Sequence, residues 1–369
     1  MTPRMPAEWE AHKACILLYP HNTETYPYLS RAQSQVLQVA RSIAQQGGEQ
    51  VWLICRDEDT VNDLKESSSE NLLLSCVPSN DTWARDTAPT FCLNEKNELV
   101  AVDWQFNAYG GPEEGCYWPC DLDQALAWKI CEQFPTVLDT SAVSKHVRVP
   151  LILEGGSIHS DGQGTLLVTA ECLLHPNRNP TKSQSEIEQI LKVNLGAAKI
   201  VWLPQGLAFD EDTNGHVDNF ACFVRPGVIL LAWTDDTERD LENFQRCRAA
   251  QAVLGQTTDA MGRTFEIHKL YLPSPPLFYS DQDVKAPDGM KAVGREAGQR
   301  LAASYVNFYI ANSAVVVPQF GVAESDQAAL KKLQELFPDR KAVGVPSREI
   351  LLGGGNIHCI TQQVPSAKR

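Results

Sequence analysis

The stretches LEGGSIH at Leu153–His159 and LGGGNIH at Leu352–His358 decide how this chain is read. Nearly two hundred residues apart, they repeat one pattern of leucine, glycines, isoleucine and histidine. A second echo links HVDNF at His216–Phe220 with YVNFY at Tyr305–Tyr309. Each echo falls where a β-hairpin is expected to begin, and WARD at Trp83–Asp86 occupies the same place earlier in the chain. Self-similarity of this kind is the mark of a repeated supersecondary unit.

The unit emerges outward from those stretches. Helical periodicity is expected at Ser30–Gln46, Asp121–Phe134, Ser183–Leu195, Thr237–Leu254 and Ser325–Phe337, with Ser325 as a cap and Gly196, Pro135 and Pro338 as stops. A strand-like run follows each helix: Val51–Cys55, Val147–Pro150, Lys199–Leu203, Ile267–Leu272 and Lys341–Val345. Hairpins are expected at Thr90–Phe106, Ser157–Thr169, Asn219–Trp233 and Val306–Val317. A fifth hairpin requires pairing Ala14–Tyr19 with Asn356–Thr361, the two chain ends. That pairing closes a ring and leaves no open sheet edge, as propeller architectures do. The expectation is an α/β fold: a five-bladed pseudo-symmetric β/α propeller forming a single domain over residues 1–369. Hairpins between successive helices argue against a doubly wound parallel sheet.

Composition narrows the function. The 369 residues are 43% hydrophobic and 21% charged, and 32 Lys and Arg against 46 Asp and Glu give −14. With no basic run, nucleic acid is not expected as a partner, whereas cationic ligands are attracted. Apolar runs such as Val228–Trp233 are strand-sized, so no membrane span is expected. Glu8, Glu10 and His12 fall where a signal peptide would be apolar, and eleven cysteines without paired spacing read as reduced thiols. Both point to the cytoplasm. Cys116 and Cys120 lack a second ligand pair at finger spacing, so no metal is expected.

If five units surround an axis, equivalent positions converge on it: Asp86, Glu154, His216 with Asp218, Asn307 and Cys359. Cys359 follows Gly353–Gly355 and is a candidate nucleophile; His216 is the candidate acid/base. Carboxylates beside a thiol oppose ionisation, unless the substrate supplies the positive charge. A guanidinium does so, being planar, permanently charged and matched to carboxylates in pairs.

On these residues the chain resembles the agmatine deiminases of the guanidine-modifying pentein superfamily. The matching stretches are MPAEWEAHKA at Met5–Ala14, TWARDTAPTF at Thr82–Phe91, DWQFNAYGG at Asp103–Gly111, LEGGSIHSDGQGTLL from Leu153, ECLLHPNRNP from Glu171, LGAAKIVWLPQGLAFDEDTNGHVDNFACF from Leu195, YVNFYIANSAVVVPQFG from Tyr305 and REILLGGGNIHCITQQVP from Arg348. Ile16, Tyr19 and Tyr109 stand where the family often has tryptophan, and PEEGCYWPCD at Pro112–Asp121 is an insertion. The resemblance implies a pentein propeller that hydrolyses agmatine to N-carbamoylputrescine and ammonia in putrescine and polyamine metabolism, without metal or organic cofactor. It implies Cys359 as nucleophile, His216 as acid/base, Glu154 as its partner, and Asp86 and Asp218 as guanidinium carboxylates. Trp83 and Gly354 are expected in the pocket. Asp210 and Asp212, in the acidic run before His216, are expected near the substrate's terminal ammonium. A homo-oligomer is left open. Rival readings are an arginine or peptidyl-arginine deiminase, an amidinotransferase, and a binding protein that kept the fold without the chemistry.

Overall fold

The computed structural model describes residues 2–67, 71–138, 143–285 and 294–367. Fifteen strands run in chain order through five sheets. The first contains β1 (His12–Leu18), β2 (Gln50–Cys55) and β3 (Leu72–Cys76); the second β4 (Thr90–Leu93), β5 (Leu99–Gln105) and β6 (Lys145–Ile152). The third contains β7 (Ile158–Ser160), β8 (Thr165–Thr169) and β9 (Lys199–Leu203); the fourth β10 (Ala221–Arg225), β11 (Val228–Trp233) and β12 (Glu266–Tyr271). The fifth contains β13 (Tyr309–Ile310), β14 (Ala314–Gln319) and β15 (Lys341–Pro346), and a final strand, β16 (Thr361–Pro365), returns to the first sheet beside β1.

Every sheet has the same mixed order: an antiparallel pair, a helical crossover, then a parallel strand beside the second member of the pair. In the first sheet the antiparallel pair is β16 with β1, and β2 is the parallel strand. The crossover helices are α1 (Leu29–Gln45), α2 (Leu126–Val137), α3 (Gln184–Leu195), α4 (Leu241–Gln256) and α5 (Ala323–Leu336). Each is long enough to lie across its own sheet. In α1 the apolar stripe Val36, Val39, Ala40 and Ile43 is buried, and α3 is bounded by a Ser183–Glu186 capping box and by left-handed Gly196. The middle strand β11, Val228–Trp233, reads as an unbroken apolar run and is buried throughout. No helix among the described residues is long and apolar enough to cross a membrane.

Several expected boundaries move. The closing strand begins at Thr361, not Asn356; residues 356–360 form a turn that carries Cys359. The Asp121–Phe134 helix is split into Asp121–Gln124 and α2, and Pro135 lies inside α2 rather than after it. Near a helix start a proline loses little, but here it sits in the last turn, where its ring needs only the local carbonyl geometry to relax. Ser325 does not cap α5, which begins at Ala323; its hydroxyl accepts from the Ser274 amide. The short helix Glu58–Leu64 and β3 were not foreseen, and β3 makes the first sheet four-stranded. All eleven cysteines are unpaired thiols.

The β16–β1 pairing joins the chain ends through Ile16, which is fully buried opposite Gln362 on one side and Trp52 on the other. Ile16→Ala is expected to lower unfolding free energy by about 3 kcal/mol, read from denaturant midpoints at unchanged m-value.

Candidate active site

The site residues sit on short turns that precede the antiparallel pair of each sheet. A one-turn helix, Ala84–Thr87, carries Asp86; tight turns at Gly155–Ser157 and Val217–Asn219 follow Glu154 and His216. Asn307 lies just before β13, and Cys359 just before β16. These five turns meet. Gly156 shows how closely: a Cβ built on it would lie 2.6 Å from His216 Nδ1, 2.9 Å from Asp218 Oδ2 and 3.1 Å from Asp86 Oδ1. A hydrogen at this position leaves room between three chemically active groups. Gly354, at φ +110°, allows the loop before Cys359 to turn in a conformation that other residues resist.

Cys359 is buried, and its Sγ accepts from Asn307 Nδ2 at 3.1 Å and donates to Asp218 Oδ2 at 3.5 Å. Burial and the charges of Asp218 and Asp86 push the thiol well above its ordinary range, so it is protonated in the free protein. His216 has no exposed surface; its Nδ1 lies 4.0 Å from Asp86 Oδ1 and its Nε2 3.5 Å from Glu154 Oε2. Burial disfavours the imidazolium, but Asp86, Cys172 and Glu154 together outweigh it and raise His216 well above the usual histidine range. Nδ1 therefore faces the space over Gly156, and Nε2 faces Glu154.

The carboxylates are not equivalent. Burial lifts Asp86 to about 6; His216 opposes the shift, while Asp218 and Glu154 add to it. Its Oδ1 accepts from the Gly156 amide at 2.9 Å and its Oδ2 from the Tyr109 hydroxyl at 2.8 Å. Asp218 is also buried, yet His358, whose Nδ1 lies 2.8 Å from Oδ2, holds it below the usual range. Glu154 is likewise lowered against its burial by Arg178, which donates from Nε at 2.7 Å. His358 in turn meets Glu8 at 2.8 Å, and Arg85 stands 3.5 Å from the same Glu8 oxygen.

A cavity of about 270 Å³ opens over these groups, with Trp83, Asp86, Tyr109, Gly354 and Cys359 in its wall. Exposed Glu24, Glu114 and Glu211 and buried Asp81 line the same cavity. Asp86, Glu154, His216, Asp218 and Cys359 thus come together as the sequence suggested, and Trp83 and Gly354 line the space. Asp210 does not line it. Its carboxylate is spent inside its own loop, on the Thr213 hydroxyl at 2.7 Å and Asn219 Nδ2 at 3.0 Å. Asp212 lines the cavity but pairs with Arg295, whose Nη1 donates to Oδ1 at 2.8 Å. Sequence reasoning missed Arg178, the Tyr109 hydroxyl and the buried Glu8. Arg178 lies in the quoted ECLLHPNRNP run, where nothing local distinguishes it from a surface arginine.

Among the described residues, two groups have donor types that suit a metal: Glu8 with His159 and His358, and Glu154 with Cys172 and His216. In the first, Glu8 is already engaged by His358 and Arg85, and His159 Nδ1 accepts from the Phe223 amide. In the second, Arg178 occupies one oxygen of Glu154.

Residues 4–365 match the family described as Porphyromonas-type peptidyl-arginine deiminase, and the chain belongs to that family. Within it, the chain is 42% identical over 372 residues to the agmatine deiminase of Ectopseudomonas mendocina, covering 99% of this chain and 97% of that one. Its fold is similar to that of an Enterococcus faecalis agmatine deiminase described as catalysing its reaction, with TM-score 0.90, 36% identity and coverage of 100% and 97%. It is also similar to a substrate-bound C. jejuni agmatine deiminase carrying a cysteine-to-serine change, with TM-score 0.82, 26% identity and coverage of 100% and 98%.

The close packing of three site groups around Gly156 provides a direct test. In Gly156→Ala the added methyl enters the space between His216, Asp86 and Asp218; activity is expected to fall at least about a hundredfold with circular dichroism unchanged.

Proposed function

We propose that the chain hydrolyses agmatine to N-carbamoylputrescine and ammonia through a covalent amidino-cysteine, in putrescine and polyamine metabolism in the cytoplasm. In this reading it needs no metal or organic cofactor. We further propose that the five sheets are the blades of one pentein propeller domain over residues 1–369, closed by β1 and β16. The observation that carries the reading is the convergence of Asp86, Asp218 and His216 around Gly156, with the Cys359 thiol against Asp218 and both Asp86 and Cys359 in the cavity wall. A site bordered by two carboxylates suits a planar cation better than a peptide carbonyl.

The chemistry follows from the charges. Guanidinium binds between Asp86 and Asp218, and its positive charge lowers the Cys359 pKa until the thiol gives up its proton, by way of Asp218 Oδ2, to solvent. The thiolate attacks the guanidinium carbon, which the carboxylates hold in plane, and gives a tetrahedral adduct. His216 Nδ1, on the Asp86 side of the ring, donates its proton to one nitrogen, and ammonia leaves. Neutral His216 then takes a proton from water as its oxygen attacks the same carbon. Collapse breaks the carbon–sulfur bond, the adduct's hydroxyl proton passes to the departing Cys359 sulfur, and the carbamoyl amine is freed. Glu154, held by Arg178, keeps Nε2 oriented and the ring charged for the first half. Cys359→Ser is expected to retain agmatine binding and lose turnover more than about a hundredfold in an ammonia-release assay, since serine lacks an accessible anion here. His216→Ala is expected to lose kcat with a smaller change in KM. Near-normal turnover by either variant overturns the mechanism.

The cavity lining supports agmatine over arginine. A terminal ammonium among Glu24, Asp81, Glu114 and Glu211 is stabilised, whereas an α-carboxylate there meets like charge. Arg295, which also lines the cavity, is committed to Asp212. The net charge of −14 acts in the same direction at longer range. A preference of at least about a thousandfold in kcat/KM is expected. Comparable efficiencies with arginine would reassign Arg295 to substrate carboxylate recognition, and turnover of peptidyl-arginine would favour a protein substrate.

A further inference from the structure

We propose that Tyr109 is a positioning residue whose hydroxyl fixes Asp86 in place and keeps it ionised for the guanidinium. The inference rests on the assignment of Asp86 as a guanidinium carboxylate. Asp86 is an unfavourable place for a charge. It faces His216 Nδ1 at 4.0 Å, but also the carboxylates Asp218 and Glu154 and the Cys359 thiol. Among the described residues two donors reach its oxygens at hydrogen-bond distance, the Gly156 amide at Oδ1 and the Tyr109 hydroxyl at Oδ2. The first is fixed by the backbone. The second is a side chain, and the structure holds it with unusual rigour.

Tyr109 and Ala108 are consecutive non-glycine residues in the left-handed region, at φ +69° and +51°. Such conformations are unfavourable for L-residues and persist where the surroundings over-determine them. Here the surroundings are explicit. Arg178 Nη1 donates to the Tyr109 carbonyl at 2.7 Å, and Asn177 Nδ2 to the same oxygen at 3.2 Å. The ring packs edge-on against Phe106 with centroids 5.2 Å apart and lies 6.1 Å from the His216 ring. Tyr109 is buried and lines the cavity beside Asp86. Arg178 also holds Glu154, so one guanidinium fixes both the donor to Asp86 and the partner of His216. A hydroxyl delivered at such conformational expense to one carboxylate oxygen is more than packing requires; a phenyl ring would fill the same volume.

The consequence is a pH effect with a definite sign. A hydrogen bond donated to a carboxylate favours its ionised form, so removing it raises the carboxyl pKa. Agmatine keeps its guanidinium charge throughout the working range and needs Asp86 ionised, so kcat/KM falls as pH drops through the Asp86 midpoint, about 6 in the parent. In Tyr109→Phe that acid limb is expected to move upward by about one pH unit, with the plateau above it reduced less than about tenfold. The ring and its contacts remain, so circular dichroism is expected to match the parent.

The test combines two readouts. The first is kcat/KM for ammonia release from agmatine between pH 5 and 9 in parent and Tyr109→Phe. The second is carboxyl-carbon NMR titration of the free protein, with Asp86→Asn identifying the resonance; it needs no substrate. The expected result is a midpoint near 6 in the parent and about one unit higher in Tyr109→Phe. An unshifted Asp86 midpoint overturns the proposal even if the variant is slow at every pH, since that is what a packing role alone produces. A parent that releases no ammonia from agmatine overturns the agmatine assignment instead, and the NMR titration still decides the role of Tyr109.

Discussion

The structure depends on a charge balance among side chains buried where the turns meet. Glu154, Asp86, Asp218 and Glu8 are all buried at the meeting of the turns, and each faces a cation: Arg178, His216, His358 and Arg85. Unpaired, any of the four carboxylates would cost several kcal/mol. The carboxylates raise both His216 and His358 above the usual histidine range, and in the cationic form this favours, four positive charges face four negative ones. A guanidinium cation would upset that balance by one. Ionisation of Cys359 would restore it, which makes arrival of the substrate and activation of the proposed nucleophile a single electrostatic event. A thiol among carboxylates, an obstacle for most cysteine chemistry, is in this setting a lock that only a cation opens.

The repeated unit was legible because each of its parts has local causes. The hairpins turn at Asn94–Asn97, Asp161–Gly164 and Pro226–Gly227, where turn chemistry is strong, and α3 carries both a capping box and a left-handed glycine. The failures are long-range. Nothing near Asn356 tells the chain to turn there and pair only from Thr361; the pairing is settled by β1, which lies at the other end of the sequence. Likewise β3 has no periodicity of its own to distinguish it from a loop, and becomes a strand because β2 offers it an edge.

The site divides the same way. Asp86, Glu154, His216, Asp218 and Cys359 could be read because equivalent positions in a repeat converge, so one glycine-rich echo located several of them together. Asp210 and Asp212 were read from charge alone, and charge does not reveal what already satisfies a carboxylate. Asp210 is consumed by Thr213 and Asn219, and Asp212 by an arginine more than eighty residues later. The residues that were missed act through distant partners: Arg178 on Glu154 and on the Tyr109 carbonyl, Glu8 on His358. Such pairings are properties of the folded centre, and no spacing in the sequence encodes them.

Two carboxylates that flank Gly156 carry different electrostatic settings, and the difference has a physical use. Asp218 is kept ionised by His358, itself supported by Glu8, so it offers a fixed charge and also receives the Cys359 thiol hydrogen. Asp86 faces its imidazole at 4.0 Å rather than 2.8 Å, and burial lifts it to about 6, near the edge of ionisation. Strengthening Asp86 with an arginine would add a ninth charge to a centre already balanced at eight, and that charge would compete with the guanidinium for the same oxygens. A neutral hydroxyl and a backbone amide avoid both effects, because they stabilise the carboxylate without cancelling the charge that the ligand must find there. The pocket can therefore stay attractive to a cation, and the charge that a bound cation adds is offset by ionisation of Cys359.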